Sequence, residues 1–118
     1  MAVIHWVGGS STHFNDPNNW NPPGLPNSTS DVIIGAGFTI DSPASITINS
    51  LALAATSSLT INAATGFTVN TGTNGAGIAG TLNVANSAVM SIGGAIVNSG
   101  TINESSTGTT TEIILTQT

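Results

Sequence analysis

"FTIDSPASITI" (Phe38–Ile48), "LTINAATGFTV" (Leu59–Val69) and "LNVANSAVMSI" (Leu82–Ile92) carry the same pattern three times. Each has an apolar-polar-apolar triplet, a linker, and a second triplet of the same kind. Alternation with period two is the mark of a half-buried strand, one side chain facing in and the next facing out. The copies start at positions 38, 59 and 82, so the spacings are 21 and 23 residues. A weaker fourth copy runs from "TIN" (Thr101–Asn103) to "IIL" (Ile113–Leu115), and further strands fit "LAL" (Leu51–Leu53) and "AIV" (Ala95–Val97). In the second turn the Gly-rich "NTGTNGAGIAG" occupies the place of that third strand and reads as a loop replacing it.

A period of about 22 residues with two or three short strands predicts stacked coils, a parallel β-solenoid of about three to four coils. Aligned end to end, the copies give inward columns Phe38/Leu59/Leu82, Ile40/Ile61/Val84, Ile46/Phe67/Met90 and Ile48/Val69/Ile92, all apolar. The outward columns Thr39/Thr60/Asn83 and Thr47/Thr68/Ser91 are all polar. Asp41, Asn49, Asn62, Asn70, Asn98 and Asn103 follow strands, where Asn and Asp suit left-handed corners. The competing all-β arrangement is an antiparallel sandwich with regular strand spacing. No segment has a 3.6-residue apolar period, so helix is expected to be nearly absent.

Residues 1–37 are different. They hold four of the five prolines and both tryptophans, whereas 38–118 is a Thr/Ser/Asn/Gly text with single aliphatic residues. An open coil end exposes unpaired backbone and an apolar interior, so it needs a cap. Trp6, Phe14, Trp20 and Leu25 supply the bulk for one, and prolines withhold N–H donors from any added strand. Residues 1–37 are therefore expected to be a cap and docking segment on the coils of 38–118, within one structural domain. The other end finishes on "EIILTQT" with no aromatic and no proline. Ile113, Ile114 and Leu115 are expected to pair with another chain, a trimer being the favoured homo-oligomer.

The chain has no Lys, no Arg and a formal charge of -5, which excludes the basic patch that nucleic-acid binding requires. With no Cys, neither disulfide nor thiolate chemistry is open to it. The opening "MAVIHWVGG" lacks the basic and long apolar regions of a signal peptide, and Met1 reads as the start of an unprocessed chain. No apolar run approaches the ~20 residues of a membrane helix, so membrane insertion is not expected.

"GTLNVANSAVMSIGGAIVNSGTINESS" resembles the repeats of autotransporter passengers and filamentous-haemagglutinin-type adhesins. "WVGGSSTHFNDPNNWNPPGLPNSTSDVIIGAG" resembles a segment preceding such solenoids in bacterial surface proteins and phage structural proteins. These resemblances imply a right-handed parallel β-helix and a structural role. The expected function is a non-catalytic structural protein at a virion surface, as a phage head decoration, cement or fibre protein bound to a capsid. The alternative is a bacterial cell-surface adhesin or extracellular filament subunit, with a glycan- or ice-binding module behind it and a host-surface glycan as its partner.

The chemistry-bearing residues do not point to catalysis. "GAGIAG" (Gly75–Gly80) satisfies the glycine spacing of a dinucleotide loop, but a strand follows where that loop needs a helix. His5, His13, Asp16 and Asp31 match no metal-ligand spacing, so no metal and no cofactor is expected. Asp41, Glu104 and Glu112 are the acids of the repeat region, too scattered for the carboxylate pair of a glycosidase. Trp6 and Trp20 could stack on sugars, but among so many prolines they read better as cap.

Overall fold

The computed structural model describes residues 2–108 and 110–116. Met1, Thr109, Gln117 and Thr118 lie outside them, and with them the reading of Met1 and the last two residues of "EIILTQT".

Thirteen strands are described. Two precede the first coil, β1 (Ala2–Trp6) and β2 (Trp20–Asn21). Coil one holds β3 (Ser30–Ile34), β4 (Thr39–Ser42) and β5 (Ile46–Ile48), and coil two holds β6 (Ser50–Leu53), β7 (Ser58–Ile61) and β8 (Gly66–Val69). Coil three holds β9 (Thr73–Ile78), β10 (Thr81–Val84) and β11 (Val89–Gly93). The fourth has β12 (Thr101–Glu104) and β13 (Glu112–Thr116), with bridges at Ala95 and Asn98 in place of a third strand. The strands stack into three faces, β2-β1-β3-β6-β9 (face A), β12-β10-β7-β4 (face B) and β13-β11-β8-β5 (face C). Every ladder between coils is parallel. This is a β-solenoid of about 4 turns, ~23 residues apart, and not an antiparallel sandwich.

Apolar columns fill the interior. Face C stacks Ile46, Phe67, Met90 and Ile113, and beside them Ile48, Val69, Ile92 and Leu115, continuing both expected columns by one coil. Face B stacks Ile40, Leu59, Leu82 and Ile102. Here the expected register is corrected: Ile40 lies beside Leu59, and Ser42 lies beside Ile61. The corner from face B to face C is two residues shorter in coil one, so aligning the copies at both ends slips face B by two. An even slip keeps inward residues inward. It also releases Phe38, which turns to Trp6, with ring centroids 6.3 Å apart. The outward column on face B is consequently Asp41, Thr60, Asn83 and Asn103, and Thr39 stands beside Ser58.

Two further expectations are corrected. The Gly-rich stretch is no loop replacing a strand: Thr73–Ile78 is β9 itself, interrupted by a bulge. The left-handed corners fall at Thr56 (φ 70°), Ala64 (φ 60°), Ser87 (φ 67°) and several glycines, and not at the asparagines. Asparagine amides instead run between coils. Asn103 donates to Asn83 Oδ1 (3.0 Å), Asn83 to Thr60 Oγ1 (3.4 Å), and Asn49 to Asp31 Oδ1 (2.7 Å). An amide has both donor and acceptor, so it can be satisfied from the coils above and below it.

Exposed Ala64 carries a methyl group into left-handed backbone, which costs about 1–2 kcal/mol for an L-residue. Ala64→Gly is therefore expected to raise unfolding stability in urea by up to about 1 kcal/mol, less than the full strain because glycine loosens the unfolded chain. A loss of stability would show that the corner is not left-handed.

Candidate functional site

The two ends of the solenoid are built differently. At the N-terminal end, β1 adds a parallel rung to face A, from Ala2 beside Ser30 to His5 beside Ile33, and β2 folds back antiparallel on β1. Between β1 and β2 the chain visits face B, where His13 bridges to Asp41. Phe14 N–H donates to Asp41 O (2.7 Å) and Asp41 N–H to Thr12 O (2.9 Å). The first 37 residues thus include β3, a rung of coil one, and lay partial rungs on two faces.

Aromatic rings close the interior between those rungs. Trp20 meets Trp6 edge to face at 5.2 Å and Phe14 at 4.7 Å, and Phe14 rests on Phe67 of coil two at 5.2 Å. Trp6, Phe14 and Trp20 are all buried. Their faces are covered, so neither tryptophan offers a sugar-stacking platform. Trp20 Nε1 donates to Phe14 O (2.8 Å), whereas Trp6 Nε1 is buried without a partner among the described residues. Leu25 is not in this cluster: it is 47% exposed.

One cap residue escaped the sequence reading. Asn19 is fully buried, and its side chain is the hub of the loop. Its Oδ1 accepts from the N–H groups of Ser10 (3.0 Å) and Ser11 (3.1 Å), while its Nδ2 donates to Ser11 Oγ and His13 O (both 3.1 Å). Its carbonyl also accepts from Val7 and Gly8 N–H. Asp16 prepares the position by capping the 3-10 turn Pro17–Asn19, accepting from Asn18 N–H at 3.0 Å, with Pro17 next to it in the first turn. Either Asn of "DPNNW" reads as a turn former, and the only hint for Asn19 is its place directly before Trp20.

The acids are tied into this cap. Asp16 accepts from Ser10 and Ser11 hydroxyls, both at 2.8 Å. The Ser11 and Ser10 hydroxyls and the Asn18 N–H hold its carboxyl below the ordinary 3.8. At Asp41 burial pushes upward, but hydrogen bonds from Thr12 and His13, the His13 charge and the Asn62 amide outweigh it, and its carboxyl also lies below 3.8. The His13 Nδ1–Asp41 Oδ2 contact is 2.8 Å. His5 lies away from this pair, on β1 of face A. Among the described residues no group of three or more His, Asp or Glu is placed to hold a metal ion.

At the opposite end nothing among the described residues covers the interior. Ile102 and Ile113 are half-buried, Ile114 is 39% exposed and Leu115 66% exposed, although Leu115 continues an inward column. On face B the last inward position is Glu104, beside Val84, and it is exposed. A charge there discourages another strand from pairing. On face C the charge of β13 is Glu112, at the start of the strand beside outward-facing Val89, and the last inward position, Leu115, is apolar. The other edge of face C, β5, has no ladder partner on the cap side among the described residues. Face C therefore presents an unpaired strand at both ends.

Compared with known proteins, the chain matches no family model, no curated protein and no solved structure.

Two measurements check the cap. Asn19→Ala orphans the Ser10 and Ser11 N–H groups and is expected to cost about 1–3 kcal/mol in chemical unfolding; unchanged stability would show that water serves them equally well. Asp16 and Asp41 have depressed folded values, so their stabilisation is complete above the ordinary 3.8 and is lost as pH falls through those lower values. Tryptophan emission is expected to shift on acidification below about pH 4 and to shift less in Asp16→Asn/Asp41→Asn. Identical acid profiles would contradict the assignment.

Proposed function

We propose that this chain is a non-catalytic structural protein that self-associates and forms part of the outer surface of a large assembly. A phage virion, with a capsid as its partner, is the first assembly to test, and the bacterial cell surface the second. The observation that carries the reading is the asymmetry of the ends, an aromatic cap on one and the open face C edge of β13 on the other. An edge strand without a partner is a template for pairing with another chain.

The polar groups support a structural role. Asp41 is spent on the cap. Glu104 and Glu112 are exposed and belong to different faces. Parallel pairing of β13 with β5 of a second copy would continue face C from one molecule into the next. Such a contact is heterologous, so it closes into a ring such as a trimer or runs on as a filament. Leu115 would be buried by either.

Light scattering after size exclusion tests the reading. The unmodified chain is expected at a multiple of 11.7 kDa, and Leu115→Asp at 11.7 kDa. Leu115 is exposed, so the substitution should leave the fold intact by circular dichroism. A monomeric unmodified chain, or a variant of undiminished mass, would overturn self-association through this edge.

A further inference from the structure

Face A carries a groove that neither end requires. Between the pairs Leu51–Thr73 and Leu53–Ile78, residues 74–77 of β9 stand opposite Ala52 alone. A four-to-one mismatch forces the chain off the sheet. Glycine is required here: Gly75 and Gly77 have φ of +54° and +73°, and a Cβ on Gly77 would lie 2.3 Å from Val97 O. The bulge is held back over the face by Asn74, whose Nδ2 donates to Ser50 Oγ at 2.7 Å and to Val32 O at 3.4 Å. Two adjoining hollows result, of about 330 and 250 Å³, sharing Ile33 and Asn74.

The larger hollow has a polarised wall. Asp31, only 9% exposed, accepts at Oδ1 from Asn49 Nδ2 (2.7 Å) and from Ser50 Oγ (2.6 Å). A carboxylate only accepts, so Asn49 must turn its amine toward it. Ser50 gives its one proton to Asp31, so the Asn74 atom on Ser50 Oγ must also be the amine. Thr71 donates to Asn49 O (3.0 Å). The Thr73 hydroxyl accepts from Val97 N–H (2.9 Å) and faces Ala95 O at 3.5 Å. Most donors are consumed inside the network, one N–H of Asn49 Nδ2 excepted. Among the described residues no donor meets Asp31 Oδ2, Asn49 Oδ1 or Asn74 Oδ1, and all three side chains line the hollow. Val3 and Ile33 supply its apolar flank.

We propose that this groove on face A docks a lysine side chain of a partner protein, its ammonium on Asp31 and the two asparagine carbonyls, its stem along Val3 and Ile33. An ammonium has three donors and no acceptor, which matches a wall of acceptors. A hydroxyl-rich ligand would bring acceptors for which this wall offers one spare N–H, on Asn49, and an anion would meet a carboxylate. The four-carbon stem of lysine suits the apolar flank. Charge complementarity names the source: the chain has no Lys or Arg of its own, so the cation comes from another protein. The inference rests on the proposed function only for the existence of such a partner.

Titration of the amide NMR spectrum with Nα-acetyl-lysine-N-methylamide tests it. Saturable shifts are expected at Asp31, Asn49, Ser50 and Asn74, and not with the norleucine analogue or methyl glucoside. Asp31→Asn is expected to weaken lysine binding about tenfold or more. Val3→Gln removes part of the flank without touching the network and is expected to weaken binding while the fold is kept. Leu115→Asp should bind lysine as the unmodified chain does, so a failure of self-association stays separate from a failure of the groove. Absence of shifts at these amides, equal shifts with norleucine or glucoside, or an Asp31→Asn variant that binds normally would overturn the proposal.

Discussion

The contact between Phe14 and Phe67 is the one on which the rest depends. It carries the N-terminal segment past coil one and into the interior beside a coil-two residue. Trp20 and Trp6 pack behind it, and Phe38 joins from the corner between β3 and β4 of coil one. Aromatic pairs in edge-to-face geometry add about 0.5–1.5 kcal/mol each beyond the area they bury. The exposed end of a coil stack otherwise loses that area to water. The cap is therefore no appendage, since the strands it closes and the rings that close them share one core.

Outside the core, the chain holds its coils together almost without charge. With no Lys or Arg, its one ion pair among the described residues is His13–Asp41, on the surface and worth little by itself. Side-chain amides and hydroxyls connect the coils instead, along Asn103–Asn83–Thr60 on face B and Asn74–Ser50–Asp31 on face A. This explains how a chain with 4% charged residues orders its outer faces. It also concentrates the electrostatic character in a few carboxylates, each in a distinct setting.

The architecture was legible because apolar residues recur at a near-constant interval, and a stack of coils is what makes such a recurrence useful. Face C was readable to the residue, since its triplets at Ile46, Phe67 and Met90 recur at intervals of 21 and 23 residues and pair in that same register. Face B of coil one was not, because a corner two residues shorter leaves no trace in the apolar pattern when the slip is even. The bulge of β9 was hidden for the opposite reason: glycines erase the alternation by which a strand is recognised. The cap aromatics were visible by their bulk, whereas Leu25, equally apolar, lies exposed outside the cluster. Asn19 and the Asp31 network could not be read, since a polar residue's burial depends on partners that only the fold brings together.

The central claim is that cap and coils form one cooperative unit joined through the aromatic cluster. Both tryptophans of the chain lie in that cluster and there is no tyrosine, so tryptophan emission reports the cap while far-ultraviolet circular dichroism reports the strands. The most direct measurement is equilibrium unfolding in urea followed by both signals on the same samples. The account predicts blue-shifted emission in the folded chain and coincident transitions. A tryptophan transition at lower urea, with the strand signal unchanged through it, would show that the cap is a separate appendage and contradict the account.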